Sequence, residues 1–160
     1  MISPANDGPS RETMINQLRQ ARRTFEAVER DIDRILPEQR AKSQTEDELS
    51  VGQLSIMRSN LRYQLGKCNL QTAYGYDASD TVNRSSIISD VLQRISEVQN
   101  DVSPQQRLWW LAKITQIECL RLVGRNTEAS RVINGLPEDE RPGDLSSCLL
   151  YTSPSPRDRG

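Results

Sequence analysis

Apolar residues recur along this chain at helical spacing, in five blocks separated by proline, glycine or polar breaks. The first block carries Met14, Leu18, Ala21, Phe25, Val28, Ile32 and Ile35, spaced alternately by four and three residues. That spacing predicts a helix from about Arg11 to Leu36 with a heptad seam, ended by Pro37. The polar stretch from Glu38 to Glu48 reads as a loop. A second helix is predicted from about Glu48 to Tyr74, with Leu54, Met57, Leu61, Leu65, Cys68 and Thr72 along one face. Gly66 lies in its middle. A mid-helix glycine costs about 1 kcal/mol against alanine, so it marks a place where another helix passes close to the backbone. The segment 75–81, GYDASDT, breaks this helix, and a third begins near Asp80 or Thr81. Its face is Ile88, Val91, Leu92, Ile95 and Val98, and Asn100 with Asp101 closes it.

Ser103 and Gln106 bracket Pro104 as a capping box with proline in the first helical turn, which predicts a fourth helix. Gly124 stops it, and Asn126 or Thr127 starts a fifth. Ala129, Val132, Ile133 and Leu136 form the buried face of that last arm, and Pro137 ends it. No segment alternates like a strand. The expected fold class is therefore all-α, with about five antiparallel helices stacked as helical hairpins. The expected organisation is a disordered start at 1–10, one helical domain over 11–145, and a disordered tail at 146–160.

Length and composition fit that picture. A chain of 160 residues holds one domain with a real core. Only 35% of its residues are hydrophobic, and with Phe25 as the single Phe, packing falls mainly to Leu, Ile and Val. A layered stack tolerates this, because each helix buries only a stripe. The 21 basic and 22 acidic residues are interleaved, so no long-range field favours nucleic acid or an anionic membrane. No apolar run approaches the roughly 18 residues of a membrane span, and 1–11 lacks the apolar core of a signal peptide, so a cytoplasmic location is the default expectation.

Candidate chemistry is sparse. The chain has no His, which removes the usual general base at neutral pH and the commonest metal ligand. Cys68, Cys119 and Cys148 have no paired spacing, so neither a disulfide framework nor a zinc site is expected. The acidic runs 46–48 and 138–140 read as solvated charge, and no phosphate loop or nucleophile motif occurs. A non-enzymatic protein without cofactor or metal is the expectation. Arg19, Arg22 and Arg23 are followed by Glu26, Glu29, Asp31 and Asp33, which predicts salt-bridged surface along one helix. Trp109 and Trp110 point about 100° apart on a helix; one can enter the core while the other faces an adjoining repeat or a ligand groove, and packing of both against the third helix is favoured.

Two resemblances follow. Tyr63, Leu65 and Gly66 resemble the aromatic and Leu-Gly signature of tetratricopeptide repeats, in a divergent form. Gly124, Ala129, Ile133 and Leu136 resemble the turn glycine, crossing alanine and buried second-arm positions of the same family. The match covers roughly 49–137. It departs from the family in its longer 75–81 connection, in lacking a clean 34-residue period, and in the position of Trp110, so other helical-hairpin solenoids stay open. The resemblance implies a fragment of a repeat scaffold that binds a protein or peptide partner. Its groove would be lined by Asn60, Tyr63, Lys67 and Gln71 of the second helix and Glu118 and Arg121 of the fourth. The alternative is a self-associating helical protein that uses the 14–35 seam. Separately, 148–160, CLLYTSPSPRDRG, resembles translated sequencing-adapter read-through at the ends of reading frames from environmental DNA. That implies a natural protein that continues past about Leu145.

Overall fold

The computed structural model describes residues 10–41, 49–77 and 79–137. Five helices follow one another: α1 (Arg11–Ala41), α2 (Val51–Gly75), α3 (Thr81–Asp101), α4 (Arg107–Leu122) and α5 (Asn126–Asn134). The described residues contain no strand, so the fold is all-α. None of these helices is long and apolar enough to cross a membrane. The expectations for 1–9, 42–48 and 138–160, including the acidic runs and the tail, lie outside the described residues.

Each helix packs on the next in the chain, and α2 also meets α4. Side-chain pairs give the register. Arg62 of α2 bonds Glu29 of α1, and Arg58 faces Asp33, so residue numbers rise on one helix as they fall on the other. The same rule holds between α2 and α3, where Arg62 meets Asp101 and the Gly66 backbone meets Ile95 and Val91. Both pairs are therefore antiparallel. The core has three parts. Leu70 and Ala73 of α2 join Ile88, Val91, Ile95 and Val98 of α3. Trp110, Ile117 and Leu120 of α4 join Ala129 and Leu136. Ile32 and Leu36 of α1 join Leu54 of α2. The α1 seam is thus largely covered from within the chain, although Met14 and Val28 stay exposed.

Local chemistry accounts for most boundaries and for three departures from the sequence reading. α2 begins at Val51 because Ser50 and Gln53 form a capping box: the Ser50 Oγ accepts from the Gln53 amide, and the Gln53 side chain accepts from the Ser50 amide. α3 starts where the Asp80 carboxylate accepts from the Asn83 amide. Gly124 turns α4 into α5 at φ 76, a conformation that suits glycine.

The first departure is α1, which runs through Pro37 to Ala41 instead of stopping at Leu36. The proline removes one hydrogen bond, to the Asp33 carbonyl, but buried Ile32 and Leu36 hold the turn against α2. The second is α4, which starts at Arg107 and not at Pro104. The Pro104 carbonyl, which a helical turn would need, instead accepts the indole N–H of Trp110 at 2.7 Å. Trp110 is fully buried and has to place that donor. Residues 103–106 form a turn, closed by the Gln106 amide on the Ser103 carbonyl. The third is α5, which stops at Asn134; Leu136 lies in the turn beyond it and still buries against α4.

A Cβ built on Gly66 would sit 3.4 Å from the Ile95 Cδ1, at the edge of ordinary contact. Gly66→Ala is expected to be neutral or to stabilise by up to about 1 kcal/mol through helix propensity. Gly66→Leu is expected to destabilise by about 1–3 kcal/mol through overpacking. Urea denaturation of the two variants checks both signs.

Candidate functional site

α2 meets α4 locally, and two of the residues proposed for a groove, Lys67 and Glu118, face each other there. Lys67 Nζ stands 3.8 Å from Glu118 Oε2. Tyr74, two turns beyond Lys67, donates its hydroxyl to Glu118 Oε1 at 2.6 Å. Glu118 is thereby held from both sides by groups of α2. Asn60 and Gln71 are exposed on the same stripe, with the Asn60 amide donating to the Ile56 carbonyl of its own helix. Arg121 is exposed one turn after Glu118. Tyr63 is half-buried, and its ring packs on the α2–α3–α4 core. Two residues that the sequence reading passed over belong to the face, Ile56 at 57% exposure and Tyr74 at 46%. The signal was present, since Ile56, Lys67 and Tyr74 sit at spacings of eleven and seven.

The electrostatics of this edge favour fixed hydrogen bonds. Burial, together with the hydrogen bond to Glu118, lifts the Tyr74 hydroxyl well above the ordinary tyrosine range. Burial, aided by the Glu118 charge, pushes the Cys119 thiol up to about 12. Burial also raises Cys68. Both thiols therefore stay protonated near neutral pH and behave as packing groups. Lys113, lowered by burial, rests its ammonium 5.0 Å over the ring of half-buried Trp109. Trp110 meets Trp109 edge-on at 5.3 Å and packs mainly against α5, with Leu92 the part of α3 at its cluster's edge. Among the described residues no group of three or more His, Cys, Asp or Glu is placed to hold a metal ion.

A second polar feature joins α1, α2 and α3. Glu29 Oε1 accepts from Arg62 Nε at 2.8 Å, and its Oε2 accepts from Arg94 at 3.3 Å, so one carboxylate ties three helices together. Arg62 also reaches Asp101 at 3.3 Å and Glu97 at 3.7 Å. Burial alone would pull the Arg62 guanidinium down, but its hydrogen bond to Glu29 and the charges of Glu97, Glu29 and Asp101 hold it above its ordinary value. The expectation of pairing along α1 is met at Arg22 and Glu26, 2.7 Å apart, but Glu29 and Asp33 turn to α2 and α3 instead. Beside this cluster a cleft of about 440 Å³ opens between α1 and α3, with Asn69 of α2 in its lining.

Comparison of the chain with protein-family models, with curated proteins and with solved structures finds no match.

Glu29→Ala leaves two arginines facing each other inside the stack and is expected to cost about 3 kcal/mol. The pair Glu29→Met with Arg62→Met is expected to cost less than the sum of the single changes, with a coupling of about 1 kcal/mol or more. Additive urea-denaturation energies would show that the cluster is decorative.

The Cys119 thiol gives a pH dependence whose sign is fixed. It is raised above its ordinary 9.0, so its contribution is complete below pH 9.0 and is lost as pH rises towards about 12, while the unfolded chain releases a proton that the folded chain keeps. Within that window the urea midpoint of Cys119→Ala is expected to fall less steeply with pH than that of the parent chain. Parallel slopes would exclude the thiol as a source.

Proposed function

We propose that this chain is a tetratricopeptide-like helical-hairpin scaffold, a non-enzymatic module that holds a protein or peptide segment along the α2–α4 edge. The observation that carries the reading is the alignment of α2 with α4, joined at Lys67, Glu118 and Tyr74. It leaves Asn60 and Gln71 as exposed polar groups and Ile56 as an exposed apolar one along α2. A partner that displaces little water from the ion-paired centre can still bond these rim groups and cover Ile56. Pre-organisation by the Tyr74 to Glu118 bond reduces the entropy that such an interface has to order. The repeat-like residues at Gly66, Gly124 and Ala129 support the same reading, since all three stand at close approaches or turns.

A second reading, self-association through α1, is favoured by one observation: Met14 and Val28 remain exposed on the seam.

A photo-crosslinking residue placed at Gln71 is expected to trap a discrete protein adduct in the source cells, one placed at Ser86 on exposed α3 surface is not, and Lys67→Glu is expected to abolish the Gln71 adduct. Equal labelling from both positions would overturn the groove. Light scattering decides the second reading, because a dimer that Val28→Glu converts to monomer would put the seam ahead of the groove.

A further inference from the structure

Asn69 occupies an unusual position. It is 4% exposed, lines the α1–α3 cleft, and its side-chain amide makes no hydrogen bond to any described residue. That amide is not sealed from solvent, unlike the unpartnered Gln39 Oε1 and Arg58 Nε, so it opens on the cleft and is available to a group that enters it. Two residues from Lys67, it points about 200° around α2 from the α2–α4 edge, so it belongs to a different face.

We infer that the α1–α3 cleft over Asn69 is a binding site for a short extended peptide segment carrying charges of both signs. The amide gives the first part of the argument. It presents a donor and an acceptor side by side, and the complement of that pair is another amide, the C=O and N–H of a peptide backbone. The lining gives the second. It is wholly polar, with three arginines and four carboxylates among its residues, so neither an apolar ligand nor a polyanion or polycation suits it. Most of these charges are already paired: Arg22 with Glu26, Arg94 with Glu29, Asp33 with Arg58, Glu97 with Arg62. Among the described residues Asp90 has no ion-pair partner and Arg30 donates only to a backbone carbonyl. Among the described residues the cleft therefore offers one unanswered anion and one unanswered cation, which a ligand with a basic and an acidic side chain would answer. The size gives the third. The lining on α1 runs from Arg22 to Asp33, about 16 Å along a helix, which is the span of about five extended residues.

This site shares no residue with the α2–α4 groove, so the two stand or fall separately. The test titrates the full chain, isotope-labelled for NMR, with three end-blocked pentapeptides: one alternating Lys and Asp, one all Lys, one all Asp. The mixed peptide is expected to shift the Asn69 side-chain amide signals saturably, and Asn69→Leu is expected to weaken that binding about tenfold or more. The exposed charge swaps Asp90→Lys and Arg30→Glu, made singly, are each expected to weaken it as well, and they decide the matter if Asn69→Leu fails to fold. No shift at millimolar peptide, meaning a cleft that holds water only, would overturn the inference. So would equal binding of all three peptides, or shifts confined to Lys67 and Gln71. The last outcome would leave the α2–α4 groove intact.

Discussion

α2 has to meet three helices at once, and its sequence is divided accordingly. Towards α3 it presents Gly66, Leu70 and Ala73, small or compact enough to bring Ile88, Val91 and Ile95 against its backbone. Towards α1 it presents Leu54 and, at its far end, Gly75, where Ile15 closes in. Towards α4 it presents Lys67 and Tyr74, which meet Glu118 through polar tips. A helix buried on several sides cannot show one clean stripe, and this is why α2 carries the only mid-helix glycine with a packed neighbour and the most mixed pattern among the described helices. Every other element is positioned by reference to it, since α1 and α3 clasp it and α5 joins through α4.

The Glu29 cluster adds what apolar packing lacks, a fixed register. Apolar faces tolerate sliding by a turn, but a carboxylate that must reach Arg62 and Arg94 together allows one alignment of three helices. The pairing is satisfied in a region that is mostly out of water, with side-chain exposures of 13% for Glu29 and 18% for Arg62. The cost of burying these charges is offset by several mutual bonds, and losing one partner would leave the rest stranded.

Much of this was legible in the sequence, and the illegible part has a common cause. Apolar spacing located all five helices, Gly66 as a close approach and Gly124 as a turn, because those signals are local. The helix ends at Leu36 and Pro104 were misplaced where a side-chain contact overrode the local rule: packing on α2 carried α1 past Pro37, and the Trp110 indole took the carbonyl that would have opened α4 early. Helical spacing put Lys67 and Glu118 on faces that meet, whereas the half-burial of Tyr63 depends on how far the neighbouring helices wrap round, which a helical wheel does not show. The Glu29 links span 33 and 65 residues, beyond any local pairing rule. Asn69 carried no signal in the chain at all, as its place in the cleft lining exists only once α1 and α3 have packed on α2.

The adjacent tryptophans have a spectroscopic consequence. Both indoles stand on α4, one sealed and hydrogen-bonded, the other beneath an ammonium group, and no other tryptophan exists in the chain. Tryptophan emission therefore reports on one end of the stack, whereas far-ultraviolet circular dichroism sums all five helices. If the two signals part company during denaturation, the α4–α5 hairpin opens independently of the charge-locked trio, and the molecule behaves as an array of coupled units in place of a single cooperative body.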